Sequence, residues 1–191
     1  MPQSSTPNAI AAQPLSEENF APFGWTLGRD FPSTAHPSAF TNPATDFWSQ
    51  HIFQTGAQDG AEVLWVNYRN MDPFVTHLEK HLLTEQAIVP LTGSIIQLMA
   101  CSTDDGGVDL STATAFIIHP GQGICMRPGA WHATRSTSPE VTCLMLTRAS
   151  TTVDLVRHLT LGECARESAI TEIPRLEIAE AWRSTSPPVP A

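Results

Sequence analysis

The stretch Thr76-His77-Leu78-Glu79-Lys80-His81-Leu82-Leu83-Thr84-Glu85-Gln86-Ala87-Ile88-Val89-Pro90-Leu91-Thr92-Gly93 decides how this chain is read. On an extended strand successive side chains point to opposite faces, so residues two apart share one. Glu79 and His81 therefore lie together, His77 shares their parity, and Lys80 faces the other way. After a bend, Gln86 comes back into the same space, and Gly93 closes the next turn. The spacing Glu79-x-His81-x4-Gln86-x6-Gly93 gathers a carboxylate, an imidazole and a carboxamide. Such an oxygen and nitrogen donor set suits a first-row divalent metal. Glu85, in the bend, is expected at the surface.

Working outward, the apolar runs are short and the punctuation is dense. Phe47–Thr55 and Glu62–Tyr68 alternate at period 2. Gln86–Leu91, Ser94–Cys101, Ala113–Ile118, Gly123–Met126 and Val141–Thr147 each end at turn residues, among them Asp104-Asp105-Gly106-Gly107, Pro120-Gly121 and Pro128-Gly129. Seven or eight strands, with turn signals roughly every 10 residues, predict a mainly β sandwich or barrel. Two helices are expected near the ends. Ser16 caps a short one with Glu17 and Glu18 in its first turn. Thr151–Leu159 carries Val153, Leu155, Val156 and Leu159 at helical spacing. Met1–Pro14 reads as a flexible lead, and Asp30–Thr45, with Pro32, Pro37 and Pro43, as a long loop. Pro187, Pro188 and Pro190 make 184–191 a disordered tail. The organisation predicted is a lead over 1–13, a single domain over 14–183 and that tail.

Composition excludes several function classes. Ten basic residues against 19 acidic ones give a net charge of −9, which lacks the concentrated basic face that nucleic acid requires. It leaves room for a small anionic substrate held by one or two local arginines. Hydrophobic residues make up 41% of the chain, yet no apolar run approaches the roughly 20 residues of a spanning helix, so no membrane partner is expected. The N-terminus has no cationic start followed by an apolar block, and a cytoplasmic location follows by default. Cys101, Cys125, Cys143 and Cys164 lack C-x-x-C spacing and read as reduced thiols.

About 50 residues beyond His81 stands Gly129-Ala130-Trp131-His132. The two segments together resemble the paired metal motifs of the cupin superfamily. The first of these normally carries His, His and Glu where this chain has Glu79, His81 and Gln86. The likeness narrows to one family. Leu78-Glu79-Lys80-His81-x4-Gln86-x3-Pro90-Leu91-x-Gly93, Asp109-Leu110-Ser111-Thr112-x2-Ala115-Phe116, Gly121-Gln122-Gly123 and Gly129-x-Trp131-His132 resemble the ureidoglycolate lyase family. The start Pro14-Leu15-Ser16-x3-Phe20-Ala21-x2-Gly24 is similar too, so the resemblance covers about Pro14 to Arg148. Three places depart from the family's pattern. Met126 stands for a usual Tyr, Ala133-Thr134 for His-Pro, and Thr147-Arg148-Ala149 for Asp-Arg-Gly.

The resemblance implies an RmlC-like jelly-roll β-barrel with short terminal helices, assembled as a homodimer. It implies a carbon–nitrogen lyase that splits ureidoglycolate into glyoxylate and urea in allantoin (purine) catabolism. It also implies one divalent metal ion (Ni, Mn, Zn or Fe) on Glu79, His81, Gln86 and His132, and no organic cofactor.

In that chemistry the substrate hydroxyl loses a proton and the departing nitrogen gains one. Glu79, His81 and His132 are the candidate catalytic groups; Arg127, Gln86, Trp131, Arg148 and Met126 are the candidate substrate contacts. Two mechanisms stay open: acid/base work shared by Glu79 and His132, or a metal that chelates and acidifies the hydroxyl. The substrate carboxylate calls for a bidentate partner, for which Arg127 and Arg148 are the candidates. Two other readings stand beside the lyase. One is a different metal-dependent cupin, an isomerase or an oxygenase, marked by stoichiometric redox-active iron in the second case. The other is a non-catalytic small-molecule-binding cupin, marked by binding without turnover.

Overall fold

The computed structural model describes residues 9–34, 36–56 and 60–179. In chain order its elements are β1 (Ala9–Pro14), α1 (Glu17–Phe20), β2 (Gly24–Leu27), β3 (Ala39–Asn42), β4 (Thr45–Trp48), β5 (Ala61–Tyr68), β6 (Phe74–His81) and β7 (Gln86–Pro90). These are followed by β8 (Ile95–Ser102), β9 (Val108–Ile118), β10 (Gly123–Met126), β11 (Trp131–Ser136), β12 (Val141–Arg148), α2 (Ala149–Leu161) and β13 (Ser168–Ala179). Strands dominate, as the turn spacing predicts.

Six strands close into a barrel in the order β1-β13-β6-β11-β8-β9. A second sheet, β2-β10-β7-β12-β5, packs against one face of it, and β3-β4 forms a small hairpin. This is the cupin-type β-barrel that the residue pattern implies. Strand β8 shows how the two layers share residues. Ile95 and Met99 point into a core between the two sheets, whereas Ile96 and Leu98 point into a second core inside the closed barrel. Both faces of β8 are buried, which explains its unbroken apolar run.

The same alternation sets the orientation of β6. Leu78 belongs to the core inside the barrel. Its neighbours Glu79 and His81 therefore face the space between the sheets. Helix α1 opens at a capping box of Ser16 and Asn19 and buries Phe20 against Phe116, with ring centroids 5.3 Å apart. Gly129, at φ 82°, makes the tight turn that delivers Trp131 and His132 onto β11.

Several expectations are corrected. Part of the stretch read as a flexible lead, Ala9–Pro14, is a barrel strand. It pairs in parallel with β13 and β9, and Ile10 and Ala12 pack on the inner core. The long loop 30–45 contains strand β3 and its turn into β4. Strand β4 ends at Trp48, so the strand expected to run to Thr55 stops short. Helix α2 is not terminal, because it is followed by the unforeseen strand β13. Glu85 is buried at 4% exposure rather than solvent-facing. The tail 184–191 lies outside the described residues.

Candidate active site

Three strands bring the candidate groups together. Glu79 on β6 stands directly across from His132 on β11, and His81 directly across from Ser168 on β13. Cross-strand partners on one face lie within side-chain reach of each other. The bend at 82–85 then carries the chain into the second sheet, where Gln86 opens β7. Its Nε2 lies 2.8 Å from His81 Nε2. Glu79, His81 and His132 each offer a ligand atom within 4.8 Å of the others.

The hydrogen bonds orient both rings. His132 Nδ1 lies 3.1 Å from the Ala130 carbonyl, which only accepts, so this nitrogen carries the proton. In the neutral ring Nε2 is then a lone pair. It lies 3.4 Å from Glu79 Oε1, is buried, and has no hydrogen-bond partner. An acceptor facing a carboxylate requires a positive centre between them, either a proton or a cation. His81 Nδ1 lies 3.0 Å from Ser168 Oγ, so each ring is steered through its outer nitrogen. Steering of this kind is what a metal-binding histidine needs. The residues therefore fit a divalent cation.

Electrostatics support the same assignment. Burial drives the His81 pKa down to about 4, with His132 adding to the effect and Glu79 opposing it. The ring is neutral near pH 7. For Glu79 burial acts upward, but the His132 imidazole and, more weakly, His81 outweigh it and hold the carboxyl below its ordinary range. Glu79 is thus an ionised base in contact with an imidazole. Burial raises the Tyr68 phenol, against the opposing hydrogen bond with Thr134, and keeps it protonated.

These groups form one wall of a cavity of about 200 Å³. Glu79, His81 and Gln86 line it together with Tyr68, Thr147 and Thr151. Leu155, Val156 and Leu159 of α2 line it from the helix side, and Leu64, Val66 and Met145 form an apolar side. The volume suits a molecule smaller than a drug-sized ligand.

Four candidate substrate contacts lie elsewhere. Met126 is packed in the core between the sheets, where its sulfur accepts from Gln97 Nε2 at 3.6 Å. Arg127 follows it with the opposite parity. Its guanidinium lies 4.8 Å from the Trp25 ring, and NH1 donates to the Pro22 carbonyl. Trp131 faces the other core, donates to the Gly107 carbonyl and supports Lys80 at 4.5 Å. Arg148 is engaged by Ser150 Oγ, the Thr55 carbonyl and Glu167. Neither arginine reaches the cavity wall, and among the described residues that line the cavity none is Lys or Arg.

Sequence reasoning missed Tyr68, Thr147, Thr151 and Ser168. Strand parity was the available signal for Tyr68 and Thr147. It missed a second cluster as well. Glu85 Oε2 accepts from the Gln54 backbone N–H at 2.7 Å, meets His51 Nε2 at 2.9 Å and takes a weak contact from Cys125 at 3.6 Å. Trp25 stacks on the His51 ring at 4.2 Å.

Comparison with known proteins places the sequence among one family. The family model described as ureidoglycolate lyase matches residues 7–160. A ureidoglycolate lyase of Chelativorans sp. (strain BNC1) is 29% identical over 128 residues, covering 64% of this chain and 74% of that protein. Ureidoglycolate lyase 2 of Rhizobium meliloti (strain 1021) is 30% identical over 139 residues, covering 68% and 81%. Among solved structures, the sugar 3,4-ketoisomerase QdtA of Thermoanaerobacterium thermosaccharolyticum covers 56% of this chain and 73% of its own. It does so at 12% identity and a TM-score of 0.36.

Proposed function

The chain belongs to the ureidoglycolate lyase family, and from that premise we propose that it cleaves the carbon–nitrogen bond of ureidoglycolate, releasing glyoxylate and urea. The observation that carries this reading is the ionised Glu79 on the cavity wall, in contact with the unpartnered Nε2 of His132.

Glu79 takes the proton of the substrate hydroxyl. The electron pair of that O–H bond closes the aldehyde carbonyl as the C–N bond breaks. The departing urea nitrogen keeps the C–N bonding pair and takes the proton held by Glu79, so no water is consumed. A positioned base of this kind contributes about 10²–10⁴-fold. Between the two transfers His132 Nε2 accepts from the protonated Glu79 carboxyl. His81 and Gln86 fix the wall against which the hydroxyl carbon lies, and Tyr68 lines the same cavity.

Glu79, His81 and His132, with Gln86 beside them, would hold a divalent cation. When bound, such an ion supplies Lewis acidity toward the hydroxyl and carboxylate oxygens. A homodimer, a cytoplasmic location and a place in allantoin catabolism complete the proposal. Among the described residues no helix is long and apolar enough to cross a membrane. Glyoxylate release from ureidoglycolate by purified protein, with and without added divalent metal, tests the reading.

A further inference from the structure

We propose that His51, Glu85 and Cys125 form a second metal site, built for zinc and separate from the cavity that Glu79 lines. One ligand atom from each side chain lies within 4.8 Å of the other two. Three separate parts of the chain supply them: the segment after β4, the bend before β7, and strand β10. Glu85 and Cys125 are buried, and His51 is partly buried. Ile124 and Met126 belong to the core between the sheets, so Cys125 points out of the opposite face of the second sheet. Trp25, directly across the ladder from Cys125, stacks on the His51 ring and walls the cluster. None of the three residues lines the cavity of Glu79, and the proposed lyase chemistry uses none of them.

The spacing is that of atoms gathered around a small ion. Tetrahedral bonds of about 2.0–2.3 Å set sulfur and oxygen roughly 3.6 Å apart, and nitrogen and oxygen roughly 3.3 Å apart. Cys125 Sγ lies 3.6 Å from Glu85 Oε2, and His51 Nε2 lies 2.9 Å from the same oxygen. Among the described residues no Lys or Arg pairs with the buried Glu85 carboxylate, whose ionic partner is His51. A buried carboxylate without a permanent cation beside it favours the entry of one. The donor set names the ion. Thiolate and imidazole together select zinc, a choice that the sulfur-free set of Glu79, His81, Gln86 and His132 does not impose. On binding, the Cys125 thiol gives its proton to solvent and the sulfur pair bonds to the ion, with no electron transfer. Three protein ligands leave the fourth tetrahedral position to water.

Co²⁺ reads this site directly, because thiolate on cobalt gives a near-ultraviolet charge-transfer band that the sulfur-free cluster cannot give. The full chain, reduced and treated with chelator, should develop the band on titration with Co²⁺, to one thiolate-bound cobalt per chain. Zn²⁺ should abolish it. Cys125→Ser should remove the band, whereas Cys164→Ser, at an exposed thiol outside the cluster, should keep it. His51→Ala keeps the sulfur and removes a ligand, so cobalt affinity read from the band should fall about 100-fold or more, beyond the range for an outer partner. Its partly buried position keeps the test open if Cys125→Ser fails to fold. His132→Ala, at the other cluster, should leave the band unchanged. No band from the folded wild type, a wild-type band in Cys125→Ser, or unchanged cobalt affinity in His51→Ala would overturn the assignment. Failure of the lyase reading would show as absence of glyoxylate and would leave these spectra as they are.

Discussion

His132 directs Nε2 at the Glu79 carboxylate at 3.4 Å, because its Nδ1 is committed to the Ala130 carbonyl. The contact joins a buried ring nitrogen to a partly exposed carboxylate, and it is favourable only with a positive centre, a proton or a cation, between them. The site's behaviour toward cations and protons follows from it.

Chelator-treated protein titrated with Mn²⁺ should bind one ion at this cluster. His132→Ala removes a donor atom outright and should lower the affinity by more than about 100-fold, the upper range for loss of an outer-shell partner. Ser168→Ala removes only the hydroxyl that steers His81 and should lower it by about 10–100-fold. Equal affinities in all three proteins would place the ion elsewhere.

Stability should fall on acidification. The folded-state pKa of His81 is depressed to about 4 from an ordinary 6.5, so between these values the unfolded chain binds more protons than the folded one. Stability from this group is complete above pH 6.5 and is lost as pH falls toward 4, by up to roughly 3 kcal/mol. Glu79, also held low, adds loss in the same direction below its ordinary range. Urea unfolding at pH 7.5 and pH 4.5 should show this difference, and His81→Gln should reduce it. An undiminished difference in His81→Gln would assign the acid sensitivity to other groups.

Glu85 should act as a clamp on the segment 49–56. Its buried carboxylate holds the Gln54 N–H and His51, which tie that segment to the second sheet. Hydrogen bonds to a charged group are worth about 1.5–3 kcal/mol, so Glu85→Ala should destabilise the fold by at least about 2 kcal/mol. It should also open 49–56 to limited proteolysis, read by mass spectrometry. Unchanged stability and cleavage would mean the segment is held by Arg29 and Gln50 instead.

The fold and the centre of the site were legible because they rest on period-2 parity and turn chemistry. Glu79 and His81 share a face, and the Gln86 bend and the Gly129 turn stand where the sequence puts them. Parity would also have corrected the outer contacts. On β12 the fully buried residues are Val141, Cys143, Met145 and Thr147, which sets Thr147 toward the cavity and Arg148 away from it. Charge chemistry had favoured the arginine. Strand β13 stayed hidden because Pro174 interrupts it at a register shift and Glu172 and Glu177 dilute its apolar pattern. With β13 went Ser168, whose contact with His81 spans 87 residues of sequence. No local signal reports a pairing of that range.

The central claim is tested most directly by glyoxylate release from racemic ureidoglycolate, comparing the wild-type chain with Glu79→Gln at matched metal occupancy. Glu79→Gln keeps the shape of the side chain and removes the base. The account predicts glyoxylate and urea in equal amounts from the wild type and a rate at least about 100-fold lower in the variant. Release at the wild-type rate by Glu79→Gln, or none from the folded wild type with any of Mn²⁺, Ni²⁺, Zn²⁺ or Fe²⁺, would contradict it.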